Sequence, residues 1–339
     1  MPDAAGLPVA MLSFAHTHAH GYARQVQENP RTRIAVVWDE DPTRGAEAAQ
    51  RYGVPFAPRL EEALAHPEVR GVVCDAPSSL HTEVLVAAAR AGKHLFTEKV
   101  LALTVAECDR ILEAARAAGV RLVVSMPQLC EPATRWAKAA LDQGLFGQVT
   151  AIRTRVGHSA ALDRWFPADS WFGDAARAGG GALMDLGCHP VYRMRHLMGE
   201  PKSVMARMTN VSGSYPIDDN GMVLLEFAGG ALGVIEASWV QRGGPEGVAI
   251  YGTKGWALID YPGAPIQCGG EAFTAAHGGR LVPGNLPKPW RSPLQQWVEA
   301  VLDGTEPDLR PEWGRHLTEI MQGAYLSDRE RREVRWPIV

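Results

Sequence analysis

The chain has 339 residues and a formal net charge of −4, so it is too long for one small core and two domains are expected. It carries no basic run that would suit nucleic acid or an anionic membrane surface, and no apolar stretch of membrane-spanning length. Its five cysteines, Cys74, Cys108, Cys130, Cys188 and Cys268, are scattered without a C-x-x-C pair; with no signal-peptide pattern at the N-terminus, reduced thiols and a cytoplasmic setting are expected.

The first third alternates strand and helix patterns. Strands are predicted over Val9–Leu12, Arg33–Trp38, Gly71–Cys74, His94–Phe96 and Arg121–Val124. They are short, apolar and Val-rich, as strands covered on both faces are. Ala-rich helical patterns lie between them, over Ala19–Asn29, Thr43–Tyr52, Leu60–Ala65, Thr82–Ala91 and Val105–Ala118, with Gly53, Gly92 and Gly119 at left-handed cap positions. This alternation predicts an α/β Rossmann-type domain with a parallel, doubly wound sheet over residues 1–128.

After about Gln148 the pattern changes to alternating strands: Val149–Val156, Ser203–Thr209, Met222–Phe227, Leu232–Ser238, Val248–Tyr251 and Trp256–Ile259. Glycine turns separate some of them, so an antiparallel meander is expected. One helix, Leu183–Met198, interrupts it after Gly179-Gly180-Gly181. Helices Pro293–Leu302 and Glu312–Ser327 and a strand-like run, Glu333–Ile338, close the chain, and the Gly- and Pro-rich stretch Pro262–Pro289 suits a long surface loop. Residues 129–339 are thus expected to form an α+β domain with a large, mostly antiparallel open sheet, its C-terminal helices packing back on the first domain.

The stretch SFAHTHAHGY, Ser13 to Tyr22, joins the first strand to the first helix. In a G-x-G-x-x-G turn the glycines allow a tight bend and close approach of backbone to pyrophosphate at a helix N-terminus. Ser13, Ala15 and His18 stand at those three positions. The first two are small; His18 either pushes the phosphate outward or donates a hydrogen bond to it, and His16 lies beside it. The histidines also suit a metal-dependent hydrolase, with His16 and His18 on one face if the strand runs through them. Such a site needs further ligands at later strand ends, and His66, His81 and His94 do not come in a suitable order, so no metal is expected. A packed, helix-capping turn is the other alternative.

Asp39 ends the second strand, where an acidic residue holds the adenine-ribose hydroxyls of NAD; Arg44 is placed to accept the 2′-phosphate of NADP. With Glu40 and Asp41, Asp39 also suits a solvated acidic turn. Asp75-Ala76-Pro77-Ser78-Ser79-Leu80-His81 follows the third strand, at the carboxyl end where cofactors sit, although a serine helix cap is enough to explain it. Glu98 and Lys99 follow the fourth strand. They are either a surface ion pair or crevice residues, Lys99 polarising a substrate oxygen and Glu98 orienting it. Asp185 and His189, four apart in an apolar helical pattern, are expected on one helical face, with His189 as general base and Asp185 fixing its ring or binding substrate. A core histidine satisfied by Asp185 is the alternative.

Two of these motifs together, AGKHLFTEKVLALTVAECDRILEAA and GGGALMDLGCHPVYRMRHLMG, resemble the Gfo/Idh/MocA family of oxidoreductases, and VVCDAPSSLH is similar to its fourth-strand A-T-P-x-x-x-H segment. The resemblance covers almost the whole chain. It implies a dehydrogenase or reductase using NAD or NADP on a sugar, polyol or related small molecule. Lys99, Asp185 and His189 match the family's catalytic set. It also implies a homodimer or homotetramer formed through the C-terminal sheet.

Four departures stand out. The glycine fingerprint is absent. Val100 replaces a proline whose bond is often cis, and a cis bond to valine is costly, so a different backbone at Lys99 is expected. Tyr192 stands where the family has its final aspartate, to bond substrate or to pack. Ser125–Cys130 lacks an arginine, and Gln128 is left to face the nicotinamide. Trp165, Phe166, Trp171 and Phe172 either line a sugar pocket or belong to the core; Arg164 is a further substrate candidate. A catalytically silent relative that binds a sugar-like ligand or a partner is the main alternative.

Overall fold

The Val-rich runs of the first third pair as five parallel strands: β1 (Leu7–Leu12), β2 (Thr32–Trp38), β3 (Gly71–Cys74), β4 (His94–Thr97) and β5 (Leu122–Val124). Their order is β2-β1-β3-β4-β5. The structure is a computed structural model that describes residues 6–167, 169–273, 280–281 and 286–338. Two units divide it, Met1–Ser125 with Arg291–Thr318, and Met126–Trp290 with Glu319–Val339.

In the first unit α1 (Ala19–Glu28), α2 (Pro42–Tyr52), α3 (Leu60–Ala65), α4 (His81–Arg90) and α5 (Val105–Ala118) join the strands. β1, β3 and β5 are buried along their whole length, as a sheet covered on both faces requires. The helix ends follow local chemistry. Asp41 accepts from the amides of Thr43 and Arg44 to open α2, Thr104 and Glu107 form a reciprocal capping box on α5, and Gly53 and Gly119 close α2 and α5 at positive φ. Chain order reverses at β1, with β2 on one side and β3 on the other. The crevice beyond the carboxyl ends of β1 and β3 is therefore a topological switch point. Leu12 pairs with Trp38 and Cys74, and Cys74 pairs with Thr97, so Ser13, Asp39, Asp75 and Glu98 all emerge along that rim. α10 (Pro293–Leu302) completes this unit: a Cβ on Gly71 would lie 2.7 Å from the Trp297 ring.

The second unit contains α6 (Pro132–Asp142), β6 (Val149–Gly157), α7 (Ala175–Ala178), α8 (Ala182–Asp185) and α9 (Cys188–Met198). Then follow β7 (Pro201–Thr209), β8 (Asn220–Phe227), β9 (Leu232–Ser238), β10 (Gly247–Gly252), β11 (Gly255–Ile259), β12 (Ile266–Gly270) and β13 (Arg280–Leu281). The chain ends with α11 (Glu312–Glu330), which begins in the first unit, and β14 (Val334–Arg335). Sheet order is β13-β12-β11-β10-β6-β9-β8-β7-β14.

Four expectations are corrected here. The sheet is not a simple meander, because β6 inserts between β10 and β9 and runs parallel to β9. The stretch 262–289 is not all loop: β12 pairs with β11 and buries Cys268 opposite Ala257, although Gly269 and Gly270 weaken its strand pattern. Residues 274–279 and 282–285 of that stretch lie outside the described residues. α6 occupies a segment with no predicted element. Finally, the helix expected over Leu183–Met198 is two helices. The Gly187 amide donates to Ala182 O and the His189 amide to Leu186 O, a five-residue step followed by a three-residue step in place of the regular four. A Cβ at Gly187 would meet Leu183 O at 2.5 Å. Among the described residues no helix is long and apolar enough to cross a membrane, and all five cysteines are free and buried.

Candidate functional site

The turn after β1 rebuilds a glycine turn without glycine. Ser13 takes φ 75°, the left-handed conformation that glycine usually supplies. Its Oγ accepts the Ala15 amide at 3.1 Å. The Phe14 amide donates to Asp39 Oδ2 at 2.7 Å, the His16 amide to Asp75 O at 3.1 Å, and the His18 amide to His16 Nδ1 at 3.1 Å. The chain thus uses its own groups to hold the bend. α1 then starts with no side-chain cap and no acidic residue in its first turn, an N-terminus open to an anion. The residues present fit the phosphates of a dinucleotide, with Ser13, Ala15, His16 and His18 as the residues beside them.

Asp39 and Arg44 come together. Arg44 Nε and Nη2 donate to the two Asp39 oxygens at 3.0 and 2.6 Å, and the Asp39 side chain is shut off from solvent. The carboxylate expected at the ribose and the guanidinium expected at a 2′-phosphate are therefore one ion pair, with Glu40 on the same guanidinium at 2.6 Å.

At the tip of β4, Glu98 is buried. Its Oε1 takes the His18 Nδ1 contact at 2.9 Å and the Tyr22 hydroxyl, and its Oε2 accepts the Lys99 amide at 2.9 Å. Burial alone would raise this carboxyl, but the His18 bond and the nearby His16 and Lys99 charges more than offset it and hold it far below the usual range. Burial first, then the Glu98 charge, raises buried Asp75 well above its ordinary value. The two carboxyls are thus driven apart, one toward the ionised and one toward the protonated form. Burial, then the charges of Glu98 and Asp75, push the Tyr22 phenol up as well.

His81 is enclosed. Nδ1 faces Val100 O at 2.9 Å and Leu101 O at 3.2 Å, and Nε2 faces Ala76 O at 2.9 Å. Burial lowers it, so the neutral ring staples the Ala76-Pro77 loop to the segment after Lys99 instead of facing a ligand. The Lys99–Val100 bond is cis, which corrects the expected departure from the family's backbone there. Lys99 itself is 6% exposed.

In the second unit, α8 is held from outside. The Gly181 and Leu183 amides donate to the Asp218 carboxylate at 2.7 and 3.0 Å, the Ala182 amide to Asp218 O at 2.8 Å, and the Tyr325 hydroxyl to Asp218 Oδ1 at 2.9 Å. Asp185 ends α8 and His189 lies in the first turn of α9, so the two are not on one regular helical face. His189 Nδ1 is 3.0 Å from the Tyr192 hydroxyl, which also accepts the Gln128 amide at 3.3 Å. Tyr192 is buried, so it links base candidate to loop.

His158, just past β6, went unread in the sequence. Burial lowers its imidazole against the pull of Asp185 and Glu246, and it stacks on the exposed Trp165 at 4.7 Å. Its place one residue beyond a strand end was the available signal. Trp171 and Phe172 are buried and stacked on each other at 4.2 Å; Phe166 packs on Trp239. Arg164 takes φ 49° in a turn and is exposed.

A parallel sheet with a switch-point turn, joined to a mixed sheet that carries an Asp and a His at a helix junction, defines a dinucleotide-linked oxidoreductase architecture. Residues 14–126 match the model described as the oxidoreductase family with an NAD-binding Rossmann fold, and residues 134–258 match the GFO/IDH/MocA C-terminal domain. The solved structure of GenD2 from gentamicin A biosynthesis, in complex with NAD, is 30% identical, with a TM-score of 0.81 over 98% of this chain and 97% of that one. The chain belongs to the Gfo/Idh/MocA family, and its first unit is of the NAD-binding Rossmann type. Levoglucosan dehydrogenase of Pseudarthrobacter phenanthrenivorans is 28% identical over 252 residues, 67% of this chain; the chain spans 64% of that relative's length. Myo-inositol 2-dehydrogenase of Thermotoga maritima is 29% identical over 59% of each chain.

Proposed function

We propose that the protein is a nicotinamide-dependent dehydrogenase or reductase of a sugar, polyol or related hydroxylated small molecule. The observation that carries this is the buried Lys99 at the tip of β4, on the same rim as a preformed turn and an uncapped helix N-terminus. The sugar dehydrogenases among its relatives support the substrate class. When bound, the nicotinamide supplies the hydride acceptor or donor.

The chain's own residues do the rest. His189 Nε2 takes the hydroxyl proton of the substrate. To do so, its Nδ1 must carry a hydrogen, and Tyr192 Oη accepts that hydrogen. Lys99 stabilises the oxygen as it becomes negative. Asp185 orients the substrate or the base. Gln128, whose amide is bound to Tyr192, lies beside this relay. We further propose a homo-oligomer formed through the open face of the large sheet, which serves no nucleic acid or membrane.

Titration of the purified protein with NAD⁺, NADH, NADP⁺ and NADPH by calorimetry tests the cofactor reading. One oxidised and reduced pair is expected to bind, and no binding of any form to folded protein overturns the reading. In a polyol and sugar screen, His189→Asn should remove turnover and leave dinucleotide binding nearly unchanged.

A further inference from the structure

The histidines of the first turn do more than shape it. His16, His18 and Glu98 each offer one ligand atom, and these atoms lie within 4.8 Å of one another. The set is drawn from two neighbouring places on the sheet rim: the β1–α1 turn and the residue after β4. Two groups are buried and His18, with a side chain 52% exposed, opens the third to solvent. The rings of His16 and His18 are 4.7 Å apart, and His18 Nδ1 already lies 2.9 Å from Glu98 Oε1.

We infer that His16, His18 and Glu98 form a site for a borderline-soft divalent cation such as Zn²⁺. Two imidazoles and one carboxylate are a donor set that suits zinc, and three protein ligands leave a position for an exchangeable one. Zinc holds N and O ligands at about 2.0–2.2 Å. Binding would require the exposed His18 ring to turn so that the ligand atoms take those distances.

Asp75 is fully buried, and among the described residues both of its carboxyl oxygens lack a hydrogen-bond partner. Buried polar groups left in this state call for an explanation. Its backbone oxygen accepts the His16 amide, so the residue fixes the backbone that carries one ligand. The inference goes beyond the dehydrogenase reading, and its metal would share His16 and His18 with the cofactor turn.

The test is calorimetric titration of chelator-treated, full-length protein with ZnCl₂, and separately with MgCl₂, alongside His18→Ala, His16→Ala and His20→Ala. His20 is the control, because it bonds Tyr52 and lies outside the cluster. One Zn²⁺ per chain and no Mg²⁺ are expected, with affinity weakened at least about tenfold in His18→Ala and His16→Ala and kept in His20→Ala. Visible d–d absorption of Co²⁺-loaded protein should disappear in His18→Ala. Should buried His16 fail to tolerate alanine, the exposed His18 variant carries the test alone. Absence of stoichiometric Zn²⁺ binding, equal affinity in wild type and His18→Ala, or equal weakening by His20→Ala overturns the inference.

Discussion

Tyr192 stands where the resemblance implies an aspartate, and the hydrogen bonds of its hydroxyl suit a different task. It meets His189 Nδ1 and the Gln128 amide at one oxygen, which suits positioning the proposed base. Tyr192→Phe should lower kcat by about an order of magnitude with little change in KM. The acid limb of kcat/KM should move to lower pH, because an imidazolium Nδ1–H loses its acceptor; an unmoved profile would leave Tyr192 only a packing role. At this scale the sequence was legible where charge stands at a strand tip, as with Glu98 and Lys99. It was illegible where a group's partner is distant in the chain. Nothing in VVCDAPSSLH says that His81 bonds carbonyls 19 and 20 residues later. Nothing near Asp39 says that its carboxylate turns inward to the Phe14 amide.

Elements were more legible than their joins. α3, α5, β3 and β9 run over the predicted residues, since periodicity and glycine caps are local. The anchoring of the start of α8 depends on Asp218, 33 positions past Asp185 and on another segment. Gly181→Ala tests that anchoring. Its Cβ would lie 1.8 Å from Asp218 O, a clash with backbone that no rotamer relieves. A loss of roughly 3 kcal/mol is expected in chemical denaturation.

α9 also carries a pH sensor of stability. Burial, then the Lys138 charge, push His196 down from 6.5 to about 4. Its folded value is depressed, so the contribution is complete above pH 6.5 and is lost as pH falls toward 4. The full loss is about 3 kcal/mol. The denaturation midpoint should therefore fall between pH 7 and 5, and fall less in His196→Phe.

For the whole molecule, alternation along the strands leaves one apolar sheet face. Met205, Met222, Leu224, Leu232, Tyr251 and Trp256 are each at least 38% exposed, and the register sets Met205 beside Leu224 and Tyr251 beside Trp256. Patches of this kind mark association surfaces. Leu224→Glu with Trp256→Glu should convert the proposed oligomer to monomers in light scattering; a wild-type monomer would refute that assembly. The alternating pattern was readable in the sequence, whereas the insertion of β6 beside β9 was not, because strand order is fixed by pairings across about 80 residues.

The turn at Ser13 has a consequence for the life of the empty enzyme. Most of the amides between residues 14 and 18 are already engaged with the protein itself, so the loop does not wait for a ligand to take its shape. Hydrogen exchange there should be slow before any dinucleotide arrives and scarcely slower afterwards. Such a chain gains little heat resistance in this loop from being loaded, and loses little there when the cell runs short of cofactor.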